Sequence, residues 1–197
     1  MNTLGWIKKT VLILSADVFL LVGCEYRHTG VESTYDIKEV TAAKIEFKVT
    51  AKPEDADICE EDICPWVELV NPESEIVRLR DADETVVHRQ EVILIIDYPI
   101  KTPVEFKLHT TNGKGFTRVD LIRAIGEKYR MIYDEEEKTA TIKTIPVERR
   151  KRSLNRNQTN GKYGIWGHDL QDLALSSIQV IEKNDEYYLK LKIESLL

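Results

Sequence analysis

A histidine and two aspartates lie close together near the C-terminal end of this 197-residue sequence. His168 is followed directly by Asp169 and, four positions on, by Asp172. An imidazole oriented by a carboxylate can act as the general base of a hydrolase. Adjacent side chains point apart, whereas residues four apart share a helix face, so Asp172 is the better partner if 168–173 is helical. These three residues are the candidate catalytic group of the sequence.

The same segment supports a structural interpretation. The string Gly161-Lys162-Tyr163-Gly164-Ile165-Trp166-Gly167 carries three glycines and two large aromatic residues. Its glycines permit a tight turn, Trp166 fills the core, and His168 or Asp169 caps a helix. In the catalytic alternative, Tyr163 or Trp166 lines a cleft. No motif marks a serine or cysteine nucleophile, and no paired metal spacing relates the four histidines His28, His88, His109 and His168. We therefore favour structure over catalysis, and expect no metal and no cofactor.

The first 24 residues carry a second chemical signal. Lys8 and Lys9 precede an apolar stretch from Thr10 to Gly23, which has the length of a signal peptide and is shorter than the roughly 20 residues of a membrane span. The stretch ends in Leu21-Val22-Gly23-Cys24, which resembles the lipobox of bacterial lipoproteins. The resemblance implies cleavage after residue 23, a diacylglyceryl group on the Cys24 thiol and an acyl chain such as palmitate on its amine.

The resemblance places the chain in a bacterial cell envelope, anchored by lipid. Glu25 follows the cysteine, instead of the aspartate associated with inner-membrane retention, and this favours the outer membrane. Asp17 weakens the signal, because a carboxylate inside the apolar stretch costs about 2.5–3.5 kcal/mol on insertion scales. In the alternative interpretation, residues 1–24 belong to the fold of a soluble viral or eukaryotic protein and Cys24 is a core thiol.

The other two cysteines are Cys59 and Cys64, separated by four residues of an acidic loop. In an oxidising compartment a disulfide could close this short loop, stabilising it modestly. Zinc is a poor interpretation, because about four ligands are needed and no histidine lies nearby in sequence. The alternative is two separate reduced thiols in a cytosolic protein.

The charge of the chain restricts the classes of molecule that it is expected to bind. The chain holds 28 basic and 34 acidic residues, a net charge of −6, which argues against nucleic-acid binding. Residues 24–100 carry 19 acidic and 8 basic side chains, whereas residues 101–197 carry 14 and 18. The basic run Arg149-Arg150-Lys151-Arg152 predicts contact with phospholipid head groups or another anionic surface, at up to about 1 kcal/mol per charge. A solvated loop is the alternative, because residues 153–161 are almost wholly polar.

A further resemblance is carried by residues of the C-terminal half: Phe116-Thr117-Arg118, Tyr129, Tyr133 and Tyr163-Gly164-Ile165-Trp166-Gly167-His168-Asp169. Through them, residues 116–193 resemble an uncharacterised domain family of bacterial and giant-virus proteins. The resemblance covers about two-fifths of the chain. It implies a domain boundary and no activity.

The hydrophobic pattern predicts an α+β fold of mainly antiparallel strands. One long helix is predicted at about 117–133, where Thr117 and Asp120 resemble a capping box and an apolar stripe follows. The acidic run 134–137 is expected to end this helix, because it meets the negative end of the helix dipole. A short helix is an option at about 168–175. Strands are predicted at 43–49, 66–70, 75–80, 92–96, 104–108 and 139–147, with a closing hairpin over 178–193.

These elements suggest a signal peptide at 1–23 and a polar tether at 24–40. A β-rich acidic region at 41–100 follows, and then an α+β region at 101–197, packed with the preceding region or forming a small second domain. The predicted function is an envelope-anchored lipoprotein acting as a binding or structural module. Its expected partners are the membrane, through the lipid anchor, and other envelope proteins or anionic head groups, with no nucleic acid. An envelope hydrolase using His168 with Asp169 or Asp172 is the alternative.

Overall fold

The computed structural model describes residues 40–55, 57–110, 113–150 and 155–196. In these residues the fold is α+β: strands predominate and one long helix packs against a sheet. The strands are β1 (Val40–Glu46), β2 (Val49–Thr50), β3 (Ile63–Cys64), β4 (Val67–Glu68), β5 (Thr85–Val87), β6 (Glu91–Ile96), β7 (Val104–His109), β8 (Phe116–Thr117), β9 (Leu173–Lys183) and β10 (Glu186–Ser195). The α-helices are α1 (Pro72–Ile76) and α2 (Arg118–Thr139), and single 3-10 turns lie at Pro53–Asp55, Val147–Arg149 and Leu170–Asp172.

The main sheet is built around the C-terminal hairpin β9–β10. Asn184 and Asp185 connect its strands with φ angles of 53° and 63°, as a two-residue hairpin turn requires. The sheet order is β1-β9-β10-β6-β7, and β4 pairs with β9 beside β1. Every pair is antiparallel except β10 with β6. Strands from the regions predicted at 41–100 and 101–197 therefore share one sheet.

The core lies between one face of this sheet and α2. Strand β6 occupies the interior of the sheet, and its Val92, Leu94 and Ile96 are buried in the same cluster as Leu121 and Ile125 of the helix. The predicted strands at 92–96 and 104–108 and the closing hairpin are confirmed. Two short ladders complete the structure, β2 with β3 and β5 with β8.

Helix α2 begins where the sequence predicts. The Thr117 hydroxyl accepts a hydrogen bond from the Asp120 backbone N–H at 3.1 Å, and the Thr117 N–H donates to the Asp120 carboxylate at 2.9 Å. The predicted end near Tyr133 is wrong, since the helix continues to Thr139. Its buried stripe extends to Glu136, whose carboxylate is satisfied inside the protein, and Lys138 balances the last turn.

Two predicted strands are not strands. Asn71-Pro72 starts α1, because proline suits the first turn of a helix, so the segment predicted as a strand at 75–80 begins with Glu75 and Ile76 in this helix. The segment predicted at 139–147 is irregular after Thr139. Its backbone N–H groups donate to side-chain amides instead of a neighbouring strand: Thr141 and Ile142 donate to Asn160, and Ile145 donates to Asn157.

Candidate functional site

The glycine- and aromatic-rich string encloses a buried carboxylate. Glu136 of α2 has no exposed surface. Its oxygens accept hydrogen bonds from the Thr159 hydroxyl at 2.6 Å, from the N–H groups of Gly161 and Tyr163 at 2.7 Å each, and from that of Gly164 at 3.1 Å. A Cβ on Gly161 would lie 2.7 Å from the Glu136 carboxyl carbon. The loop that the sequence marks as distinctive is therefore wrapped closely around one side chain.

These contacts keep Glu136 ionised. Burial by itself raises the pKa of a carboxyl group. Here the hydrogen bonds from Thr159, Tyr163, Gly161 and Gly164 outweigh burial and hold the pKa of Glu136 below its ordinary value of 4.5. The glutamate accordingly acts as an internal anion that fixes the loop to the helix. Sequence reasoning missed this role, although Glu136 follows Ile132 by four positions on the apolar stripe, where a buried side chain is expected.

The two aspartates of the predicted catalytic group have other partners. Asp169 forms an ion pair with Arg150, with Nη2 and Oδ2 2.7 Å apart, and lies 3.6 Å from Nη1 of Arg156. Asp172 is buried and accepts a hydrogen bond from the Asp169 backbone N–H at 2.7 Å. Asp169 precedes and Asp172 ends the 3-10 turn Leu170–Asp172, which lies within the segment predicted as a short helix at about 168–175. Both carboxylates thus shape this turn.

His168 lies beside a small aromatic cluster. Its ring centroid is 5.6 Å from that of Tyr98 and 6.3 Å from that of Trp166, which is 38% exposed. Its Nδ1 is 3.2 Å from the hydroxyl oxygen of Ser195 at the end of β10, and its backbone oxygen accepts a hydrogen bond from Tyr133 at 2.9 Å. The structure therefore brings His168 to a serine, and the hydrogen bonds of the aspartates go elsewhere.

Tyr163 of the same loop contacts the neighbouring glutamate of α2. Its ring is buried and its hydroxyl donates to Glu135 at 2.6 Å. The lysine beside it, Lys162, also pairs with Glu135 at 2.9 Å. Tyr163 thus contacts α2 twice, through its hydroxyl at Glu135 and through its backbone N–H at Glu136.

Of the predicted basic run, Arg149 and Arg150 are described, and Lys151 and Arg152 lie outside the described residues. Arg149 ends the 3-10 turn Val147–Arg149 and is exposed. Arg150 turns inward: its side chain is 6% exposed, its Nε donates to the Ile145 oxygen at 2.8 Å, and it pairs with Asp169. Cys24, the signal peptide and the tether up to residue 39 also lie outside the described residues.

Cys59 and Cys64 are joined by a disulfide. Cys64 is buried in β3, which pairs with β2. The bridge fixes the acidic loop beside the sheet, and it positions Ile58, Pro65 and Trp66 along the wall of a cleft.

This cleft lies at the face of the sheet opposite α2 and has a volume of about 590 Å³. An adjoining cleft of about 350 Å³ shares Lys44, Ser177 and Lys192 with it. We call the two together the lysine groove. Its charged lining residues are four lysines and two glutamates, a net charge of +2: Lys44, Lys48, Lys190, Lys192, Glu46 and Glu194.

The lysine groove combines charge with exposed apolar surface. Ile58 on its wall is 65% exposed and Leu196 is 42% exposed. Its ion pairs lie at the surface, with Nζ–Oε distances of 2.9 Å for Lys44–Glu46 and 2.7 Å for Lys192–Glu194. Sequence reasoning missed the groove, because its lysines come from polar positions in β1, just after β1, and in the distant strand β10. Only the pairing of β1 and β10 with β9 brings them together.

Metal binding and membrane crossing can both be assessed from the side chains and helices of the described residues. No group of three or more histidine, cysteine, aspartate or glutamate side chains among them is arranged to hold a metal ion. Within the same residues, no helix combines the length and the apolar character needed to cross a membrane.

Comparison with protein families, curated proteins and solved structures finds no match for this chain.

Proposed function

We propose that the chain is a lipid-anchored protein of a bacterial cell envelope, held at the outer membrane through Cys24, and that it works as a binding module and not as an enzyme. The anchor is supported by Leu21-Val22-Gly23-Cys24 and by the polar residues that follow. The lysine groove is the observation that supports the binding role. It offers an accessible concave surface with both charge and apolar character, as ligand sites commonly do.

The ligand that fits the lysine groove best is an anionic phospholipid. The net charge of the groove attracts a phosphate-bearing head group, and Lys44, Lys48 and Lys192 surround the same cleft. Exposed Ile58 and Leu196 offer apolar contact for the glyceride and acyl part. Residue 40, the first of β1, is 16 residues from Cys24, a reach of at most about 55 Å, so an anchored chain can bring the groove to the membrane.

The anchor is tested by replacing its cysteine. We expect Cys24→Ser to move the protein from the membrane fraction to the soluble fraction, and to abolish the added mass of the acyl chains in the intact protein. Cys59→Ser with Cys64→Ser is the matched control and leaves the acylation unchanged. A Cys24→Ser protein that keeps its fractionation, from a parent whose mass shows no acyl chains, would favour the soluble alternative in which residues 1–24 belong to the fold.

The groove is tested separately, in a full-length Cys24→Ser protein that carries no lipid. We expect this protein to cosediment with vesicles of phosphatidylglycerol and phosphatidylcholine, and not with vesicles of phosphatidylcholine alone.

The triple variant Lys44→Gln, Lys48→Gln and Lys192→Gln should bind at least tenfold more weakly, since each charge contributes up to about 1 kcal/mol. The control variant Lys101→Gln, Lys138→Gln and Lys183→Gln removes the same charge away from the groove and should bind normally. Equal losses in both variants would contradict a specific groove.

A hydrolase is the second candidate, favoured by the 3.2 Å contact between His168 and Ser195. A serine hydroxyl beside an imidazole is the core of a nucleophilic pair, although an orienting carboxylate normally supports it. Turnover of an ester substrate that is lost in both His168→Ala and Ser195→Ala would establish this activity in place of the binding role.

A further inference from the structure

Arg156 carries a donor edge that meets no acceptor in the part of the chain that the structure describes. Its side chain is 6% exposed. Its Nε and Nη2 atoms are shielded from solvent and have no hydrogen-bond partner among the described residues. In a guanidinium group, the N–H bonds of these two atoms point in parallel and form the side-on edge that binds two oxygens of a carboxylate or phosphate at once. The unpaired atoms therefore make up one complete bidentate edge.

The neighbouring groups explain why the edge is unpaired. Asp169 gives its short ion pair to Arg150, and its distance of 3.6 Å from Nη1 of Arg156 is too long for a hydrogen bond. The carboxylate of Asp172 accepts its hydrogen bond from the backbone N–H of Asp169. The guanidinium carbon of Arg156 lies 5.1 Å from the ring centroid of Tyr133. The aromatic ring therefore packs against the guanidinium group and supplies no hydrogen-bond acceptor in the guanidinium plane.

The position of Arg156 is fixed by its backbone. Its N–H donates to the Gly167 oxygen at 3.0 Å, and the two residues form an isolated antiparallel bridge. Gly167 has φ of 76°, a conformation that favours glycine. The guanidinium is thus held in place by the same loop that Glu136 anchors. A buried charged donor left without an acceptor costs more than an ordinary unmade hydrogen bond, so a fixed, unpaired edge points to an acceptor that completes it.

We infer that Arg156, which shares the neighbour Asp169 with Arg150, binds an oxyanion: inorganic phosphate, sulfate, or the phosphate group of a larger molecule. The side-on edge receives two oxygens of the anion, and the second guanidinium adds positive charge next to the shared Asp169. Two-oxygen geometry distinguishes this ligand from chloride, which can offer only one acceptor. The site is separate from the lysine groove and independent of the lipid anchor.

Thermal unfolding of the full-length protein tests this site. At pH 7 and constant ionic strength, phosphate or sulfate at tenfold above its Kd should raise Tm by about 3–6 °C relative to chloride. Arg156→Lys keeps the positive charge and loses the fork, so its Tm should no longer respond. Arg149→Lys makes the same change at the exposed neighbouring arginine and should respond like the parent. An equal response in Arg156→Lys, or the same Tm in phosphate and chloride for the parent, would overturn the inference and indicate that water fills the edge.

Phosphate binding can also be measured directly on the parent protein, so that the test does not require the Arg156→Lys variant to fold. Titration of phosphate with the parent protein, followed by its phosphorus NMR signal, should show saturable binding of one ion, and an unchanged signal would overturn the site. Glycerol phosphate distinguishes the two sources of the ligand. Binding of both compounds supports a phosphate group on a larger molecule, and binding of inorganic phosphate alone supports the free ion.

Discussion

At the scale of single residues, Glu136 explains the most conspicuous string of the sequence. The close approach at Gly161 and the N–H groups of Tyr163 and Gly164 serve this carboxylate. A composition that attracts a catalytic interpretation thus has a structural use. His168 is the exception, because its ring lies beside Tyr98 and the partly exposed Trp166 and contacts Ser195 instead of Glu136.

The ionised state of Glu136 predicts a pH dependence of stability. In the folded protein, hydrogen bonds hold the pKa of the Glu136 carboxyl group below 4.5. The stability that the ionised carboxylate contributes is therefore complete above the pKa that Glu136 has in the unfolded chain, and it is lost as pH falls through the pKa of the folded protein. Glu136→Gln should lower the free energy of unfolding by about 3 kcal/mol at pH 7, since an NH2 donor replaces one carboxylate oxygen and the buried donors that bonded to that oxygen lose their acceptor. Its stability should then fall less than that of the parent on acidification below about pH 4.5, as denaturant titrations at several pH values can measure.

The neighbouring glutamate provides the control for this experiment. Glu137 is exposed, and Glu137→Gln should change the free energy of unfolding by no more than about 0.5 kcal/mol. A parallel fall of parent and Glu136→Gln with pH would contradict the proposed anion.

At the scale of elements, the sequence was informative wherever local pattern and tertiary burial agree. The strands predicted at 92–96 and 104–108 and the hairpin predicted over 178–193 all match strands of the structure. The capping box of Thr117 likewise places the start of α2. These features could be predicted because their physical causes lie within a few residues.

The elements whose predictions are wrong depend on partners that are distant in sequence. The acidic run after Tyr133 looks unfavourable for a helix end until Thr159 and the following loop satisfy Glu136. The segment 139–147 alternates like a strand, yet the amides of Asn157 and Asn160 take its hydrogen bonds. The candidate sites show the same dependence on distant partners. The sequence identifies His168 as a candidate, whereas its contact with Ser195 arises only when the chain folds.

At the scale of the whole molecule, the acidic and basic halves of the sequence do not become separate halves in space. Strand β1 from the acidic half and β10 from the basic half both pair with β9. The lysine groove consequently takes Lys44 and Lys48 from the acidic half and Lys190 and Lys192 from the basic half. A local positive surface on a protein of net charge −6 is thus a product of topology, and salt should weaken its attraction for anionic lipid.

The disulfide links the stability of the molecule to this surface. Cys59 and Cys64 close a loop of a few residues whose ends carry the groove wall of Ile58, Pro65 and Trp66. In the Cys24→Ser background, Cys59→Ser with Cys64→Ser should lower the free energy of unfolding by about 2 kcal/mol, the chain entropy that a short loop restores. Vesicle binding should weaken together with it, because the wall loses its fixed position, whereas the Tm increase caused by phosphate should remain. Thiol titration of the unfolded parent before and after reduction verifies that the bridge is present. Unchanged vesicle binding in the double variant would show that the lysines act without the wall.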